Sequence, residues 1–335
     1  MKAFIENSSC ISASPTFDAD VFFGESIATP LANEGKLNAQ DPDYKSIITD
    51  AGKRRRMGHL IKMGISSSLS ALKGTNYAKP DAIMTATAMG GLEDTEKFLR
   101  CIIDNDEQLA NPSNFIQSTG NTFGGQTGLL LQHHGHNVTY AHGGFSFESA
   151  LIDAMLQMAD DEIETALVTA ADEITATEYE VMRKMGFWRN GRMMGEGSQA
   201  FLLTSSPNEK TKAAIIGLKT LKGPLSVSDL SNAIQDLTHK AGYDTEDIDL
   251  MLLGVDCDYE AEKTIIGYGK HQINYKKWCG QFATASGFGL WMANELLSRQ
   301  IIPSAEEWEA AHLKLAMVYT EYRQNDYSLM LVATV

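Results

Sequence analysis

Residues 140–150, YAHGGFSFESA, constrain this chain more than any other stretch. Upstream, residues 137–140 read as the end of a buried strand. Gly143 and Gly144 permit a sharp turn, because glycine tolerates positive φ and close backbone approach. Downstream, Leu151, Ile152, Met155, Leu156 and Met158 recur at helical spacing, so a helix is expected from Ser149 onward. Residues 165–171, TALVTAA, then read as another buried strand, and Asp172 and Glu173 follow it. Strand, tight turn, helix, strand, acid is the layout of an elbow that lifts a nucleophile off a sheet. The tip of this elbow carries glycine and phenylalanine, neither of which can attack anything.

That unit resembles the active-site elbow of the β-ketoacyl synthases, the condensing enzymes of the thiolase fold, in which the tip is a cysteine. The resemblance runs through nearly the whole chain. Residues 4–12 look like the first strand and turn, without the glycines usual there. Ala88-Met89-Gly90-Gly91-Leu92-Glu93 looks like the Gly-Gly-Leu turn. Asn190-Gly191-Arg192-Met193-Met194-Gly195-Glu196-Gly197 looks like the hairpin that ends in Gly-Glu-Gly, so Gly195, Glu196 and Gly197 are retained motif positions. Residues 276–287, KKWCGQFATASG, resemble the motif that opens with a lysine, here Lys276, and carries a histidine five residues on. Short glycine motifs recur by chance, but this many in the family's order carry weight together. The resemblance implies an α/β, thiolase-like layered fold (αβαβα) of two similar halves, placed at residues 1–206 and 207–335.

The chemistry of such enzymes says which positions matter. A thiolate takes up an acyl group; two histidines and backbone N–H groups then stabilise the enolate formed from a malonyl thioester. Counting forward from Gly135, the cysteine position falls on Gly144; counting back from Asp172 and Glu173, it falls on Phe145. The first histidine position falls at or beside Cys257, after the strand expected at 250–255. The second is Gln281. The late glycine-rich loop is replaced by residues 321–327, EYRQNDY. No catalytic residue is therefore expected, and the vacated positions are Gly144, Phe145, Cys257 and Gln281. The pattern is similar to the chain-length-factor subunits of type II polyketide synthases, which lost the nucleophile and pair with an active ketosynthase. Residues 115–119 and 145–151 look like those of the aryl-polyene and flexirubin pigment systems.

On this reading the partners are an active β-ketoacyl synthase, in a heterodimer, and an acyl carrier protein. Phe145, Phe147 and Gln281 are the tunnel and interface candidates, with the Phe145 ring expected to fill the space where an acyl chain would start. No cofactor and no metal are expected. Two other classes remain open: an acyltransferase or hydrolase that uses Ser146 with His142 as base, and a homodimeric scaffold for acyl carrier proteins. Ser146 is equally read as a helix cap, Cys257 as a small buried thiol, and His133, His134, His136 and His142 as ordinary packed or solvated histidines.

Composition sets limits. A chain of 335 residues can bury a large core. A net charge of −15 argues against nucleic acid and anionic membranes. The N-terminus lacks a signal-peptide core, and there is no 18-residue apolar run, so a cytoplasmic protein with no membrane span is expected. The four cysteines, at 10, 101, 257 and 279, lack metal-ligand spacing and read as reduced thiols. Residues 44–73 read as a basic amphipathic helix with Lys53-Arg54-Arg55-Arg56 on one side, a solvated face or a dock for an acidic carrier protein. Helices are also expected at 94–104, 124–132 and 226–241, and after Ser286. Strands are expected at 81–88, 200–203, 213–220 and 249–255, with an alternating strand at 327–335.

Overall fold

The computed structural model describes residues 1–24, 27, 29–108, 112–188, 191–255, 265, 267–304 and 307–335. Its strands are β1 (Ala3–Ile11), β2 (Lys36–Leu37), β3 (Ala82–Ala86), β4 (His136–Tyr140), β5 (Thr165–Asp172), β6 (Met194–Gly195), β7 (Gly197–Thr204), β8 (Ala213–Lys222), β9 (Leu250–Gly254), β10 (His271–Asn274), β11 (Ile301–Pro303), β12 (Trp308–Ala310), β13 (Leu315–Tyr322) and β14 (Asp326–Thr334). The first half lines up as β1-β7-β5-β3-β4, and the second repeats it as β8-β14-β13-β9-β10. The directions repeat too. β7 is antiparallel to both β1 and β5, and β5, β3 and β4 are parallel. Likewise β14 is antiparallel to β8 and β13, and β13, β9 and β10 are parallel.

The two five-stranded halves do not stay apart as separate sheets. Ala3, Phe4 and Ile5 of β1 pair with Ile215, Ala214 and Ala213 of β8, joining the halves into one ten-stranded sheet. The helix Ser146–Ala159 follows the elbow, and its counterpart Ser286–Arg299 follows the Lys276 motif at the matching point of the repeat. Both lie in one core with the inward residues of the two halves, among them Phe147, Leu151, Val168, Leu252, Phe288 and Val318. The helix His59–Leu72 covers the other face of the first half, and Val227–Lys240 covers that of the second. The layering is thus αβαβα.

This explains the apolar runs. In β13, Ala316 and Val318 face the central helices, while Leu315, Met317 and Tyr319 face the Val227–Lys240 helix. The side chains alternate faces as in any strand, but both faces are buried, so the sequence reads as continuous apolar residues. β14 behaves the same way: Met330 and Val332 point to one core and Leu329 and Leu331 to the other. The strand preceding the elbow departs from expectation. β4 is an edge strand, with His136 and Asn137 exposed and its last three residues only half-buried.

The single helix expected over 44–73 is three, Tyr44–Ile47, Ala51–Arg55 and His59–Leu72. Asp43 caps the first by accepting from Lys45 N, and Asp50 caps the second by accepting from Lys53 N at 3.0 Å. Gly58, extended at ψ 175°, separates the second from the third. An aspartate whose carboxylate takes up free N–H groups starts a new helix rather than continuing an old one.

Candidate functional site

The C-terminal ends of β3, β5 and β13 open into one cleft, where ligands of α/β sheets commonly bind. The cleft is partly open to solvent. Ala88–Gly90 come from the turn after β3, Asp172 and Glu173 from the end of β5, Gln281–Ala283 from the Lys276 motif, and Tyr322 and Arg323 from the β13–β14 hairpin. Phe187, Trp188 and Met182 supply the apolar wall.

Three carboxylates, none exposed, hold the cleft together. Asp172 Oδ1 accepts from Thr87 Oγ1 at 3.0 Å and Ala88 N at 2.8 Å, and its Oδ2 accepts from Thr284 N at 3.0 Å and Thr284 Oγ1 at 2.8 Å. It therefore ties a loop of the second half to two elements of the first. Burial pushes its carboxyl up, against the pull of these four donors. Glu173 accepts from Leu60 N and Glu93 N, each at 3.0 Å. Those are free N–H groups at the starts of His59–Leu72 and Leu92–Asp104, whose own cap residues, Gly58 and Gly91, have no side chain to offer. One carboxylate thus serves two helix N-termini, although burial still raises Glu173 to about 7. Glu196 accepts from Asn38 Nδ2 and Ala39 N at 3.2 and 3.0 Å, and from Ile174 N at 2.8 Å.

His59 lies beside this network, 2.8 Å from Asp41 and 3.8 Å from Glu196. Burial alone would depress the imidazole, but the Asp41 hydrogen bond and the charges of Glu196, Asp41 and Glu173 outweigh it and hold it up at about 8. A cation favoured by folding contributes stability that is complete below the ordinary histidine value of 6.5 and lost as pH rises through about 8. The expected loss is about 2 kcal/mol across that window. Urea melts of the parent and His59→Ala at pH 6 and pH 9 should show the two curves converging at the higher pH.

The retained glycines have steric reasons. A Cβ on Gly195 would run into the Cys279 carbonyl oxygen, and Gly280, at φ +76°, approaches Gly195 Cα to 2.7 Å measured from its own hypothetical Cβ. This backbone-on-backbone contact, with Gly195 N donating to Gln281 O at 2.9 Å and Gln281 N to Met193 O at 2.8 Å, sets Gln281 in the cleft. A Cβ on Gly197 would stand 2.5 Å from the Ile11 carbonyl. Gly195→Ala is expected to cost about 3 kcal/mol, since rigid backbone on both sides cannot yield; a thermal shift under 3 °C would contradict it, given what such a loss does to a chain of this size. Lys276 is buried and donates from Nζ to the Glu321 carbonyl at 2.6 Å, fixing the end of β13.

The elbow forms, but its tip is closed. Gly143 adopts φ +57°, a short 3₁₀ turn spans Gly143–Phe145, and the helix starts at Ser146, three residues earlier than Ser149. A Cβ on Gly144 would lie 2.7 Å from Tyr322 Cδ1 and 2.9 Å from Asp326 Oδ2. Tyr322 thus packs on the elbow tip and also lines the cleft with Gln281. The β13–β14 hairpin fills the ground above the tip. Arg323, at φ +55°, continues it across the cleft, 5.1 Å from the Phe187 ring.

Phe145 is buried, yet it is not among the cleft-lining residues. Its ring sits 6.1 Å from that of His142 and 5.4 Å from Lys222 Nζ, which in turn pairs with Asp326 at 2.7 Å. The Phe145 ring thus lies on the His142 and Lys222 side of the elbow, and Tyr322 and Arg323 occupy the cleft side. Phe147 belongs to the central core, 5.7 Å from Phe201. Gln281 is in the cleft, where neither amide atom has a partner among the described residues. Cys257 and Asn190 lie outside the described residues. The tyrosine wedge escaped sequence reasoning; the only sequence signal near it is the glycine-free run EYRQNDY at 321–327.

Ser146 does not cap the helix. Its hydroxyl, fully buried, accepts from His142 N at 2.8 Å and lies within bonding distance of the Thr87 and Gly143 carbonyls, at 3.0 and 2.8 Å. The His142 ring meets Ser149 Oγ at 3.3 Å instead, so the ring does not pair with the Ser146 hydroxyl among the described residues. The other histidines diverge: His133 lies 3.2 Å from the Asp81 carbonyl and His136 3.5 Å from Asp153. Among the described residues no group of histidine, cysteine and acids is placed to hold a metal, and no helix is long and apolar enough to cross a membrane. Burial raises the Cys10 thiol to about 12.

The paired halves and the αβαβα layers define a thiolase-like fold. Residues 32–227 match the N-terminal domain of β-ketoacyl synthases, and the chain belongs to that family. Solved structures agree on the fold. The ishigamide ketosynthase/chain length factor superposes with a TM-score of 0.78 at 15% identity, covering 100% of this chain and 99% of that one. A type II polyketide synthase acyl-carrier protein in complex with its ketosynthase bound to the hexaketide gives 0.78 at 13%, with 100% and 99% covered. A ketosynthase in complex with its chain length factor from Xenorhabdus doucetiae gives 0.75 at 14%, with 99% and 98% covered. No curated protein matches the sequence.

Proposed function

We propose that this chain is a catalytically silent ketosynthase-like subunit, of the chain-length-factor kind, that pairs with an active β-ketoacyl synthase and limits the length of its product. The observation that carries this is the elbow tip, where Gly144 has no side chain and Tyr322 leaves no room for one. A condensing enzyme needs a nucleophile and an acyl space at that point. Gln281 offers hydrogen bonds but cannot take up a proton as an imidazole can. The chain length factors among the structural neighbours support the reading. So does the β4 edge, which has no further strand paired to it among the described residues and lies next to the elbow. Phe115, Ile116 and Leu129, all more than half exposed, lie in the segment leading to it.

The partner supplies cysteine, histidines and decarboxylation. An acyl carrier protein delivers substrate, and the exposed Lys53, Arg55 and Arg56 suit its acidic surface. Residues 115–119 and 145–151 favour a pigment system of the aryl-polyene or flexirubin type. Co-expression with the ketosynthase encoded beside this chain tests the proposal. A one-to-one complex is expected, with product length shifting when interface residues of this chain change; a chain that never binds that ketosynthase, with product unaltered in its absence, sinks it.

A further inference from the structure

The cleft holds a polar group with nothing to bind. Gln281 is 9% exposed, and both its Nε2 and its Oε1 lack partners among the described residues. Leaving a buried donor and a buried acceptor unmet costs about 1–3 kcal/mol each. The neighbouring acids do not meet them: Asp172 is taken up by four donors and Glu173 by two backbone N–H groups. The rest of the wall is largely apolar, with Met182, Phe187, Trp188 and Phe282. The cleft opens on one side to solvent, so a ligand can enter it and reach Gln281.

Charge narrows the choice. Arg192 and Arg323 line the cleft, but so do Asp172, Glu173 and Glu178. Burial pushes Glu173 and Glu178 up to about 7. The lining sets two guanidiniums against three carboxyls, so it favours neither an anion nor a cation. What suits it is a neutral group that offers an acceptor and a donor side by side. We infer that this cleft is a receptor for a small neutral molecule bearing a primary or secondary amide on an apolar body. The ligand carbonyl accepts from Gln281 Nε2, its N–H donates to Gln281 Oε1, and its apolar part lies against Phe187, Trp188 and Met182. This goes beyond the subunit reading and does not depend on it.

The test uses the full chain, together with its ketosynthase if one co-purifies. Isothermal titration with hexanamide, N-methylhexanamide, hexanoate and hexan-1-ol compares one apolar body carrying four head groups. The two amides are expected to bind one per chain, at least tenfold tighter than the alcohol and tenfold tighter than the carboxylate. Gln281→Leu should erase the amide-over-alcohol preference. Met89→Trp, at a rim residue 61% exposed, should block all four ligands without disturbing the core. Equal affinity for alcohol and amides would mean an unspecific apolar void, and tightest binding of hexanoate an anion site at the arginines. Either result overturns the inference, as does no saturable binding or a preference that survives Gln281→Leu. If Gln281→Leu fails to fold, the head-group ranking in the parent and the Met89→Trp result decide. Complex formation with the ketosynthase is read separately by co-purification, so failure here leaves that proposal standing.

Discussion

Asp172→Ala is expected to lower the stability of the chain by about 4 kcal/mol, the largest loss of any single substitution around the cleft. The carboxylate is buried and accepts four hydrogen bonds. Removing it strands Thr87 Oγ1, Ala88 N, Thr284 N and Thr284 Oγ1 together. A stranded buried donor costs about 1–3 kcal/mol, and the two hydroxyls can recover part of that by rotating to other acceptors. Asp172→Asn should fall between parent and alanine. Its oxygen still accepts on one side, but its NH₂ faces N–H and O–H donors on the other. Urea unfolding of the three proteins at pH 7 measures this. A loss below about 1 kcal/mol for alanine would mean that water replaces the carboxylate, and that the cleft is wetter than its lining implies. Because Thr284 lies three residues from Gln281, the same substitution should also displace the amide.

How much of this was legible in the sequence depends on the residue. The order of elements and the repeat could be read because β-strands buried on both faces leave unmistakable apolar runs, such as TALVTAA in β5 and LMLLG in β9. The contacts of Gly195, Glu196, Gly197 and Lys276 give each a physical reason: close backbone approach for the glycines, a three-donor anchor for Glu196, a carbonyl clamp for Lys276. The direction of the Phe145 ring was not readable, because a residue at a 3₁₀-to-helix junction can face either side. The wedge formed by Tyr322 was not readable either. It depends on a hairpin from the far half of the chain meeting the elbow, and no local pattern records that meeting. The fusion of the halves through only three residue pairs of β1 and β8 is likewise a tertiary fact. The break of the 44–73 segment was in principle visible in Asp43, Asp50 and Gly58, a cap or breaker before each piece.

The elbow allows the strongest test of silence. Phe145→Cys should not acquire condensing activity, and its rate should stay at least about 10⁴-fold below that of an intact ketosynthase, since members of a catalytic unit fail together. Geometry gives the reason. The side chain at 145 is directed toward His142 and Lys222, outside the cleft that Gln281 lines. A thiolate there would be helped by the lysine, so alkylation by iodoacetamide is allowed and would not count against the prediction. Transfer of an acyl group followed by condensation with a malonyl thioester would. Gly144→Cys meets a different obstacle: its Cβ is driven into Tyr322 and Asp326, and an overpacking cost of about 2–3 kcal/mol is expected. Gly144→Cys with Tyr322→Gly should regain most of that stability, because the wedge is gone. Intact-mass measurement after incubation with an acylated carrier protein then separates the two barriers. An adduct on the double variant but not on Gly144→Cys alone would show that Tyr322 shuts the elbow. An adduct on Phe145→Cys alone, with product turnover, would show that the reaction space lies on the Lys222 side and that the silent-subunit reading is wrong.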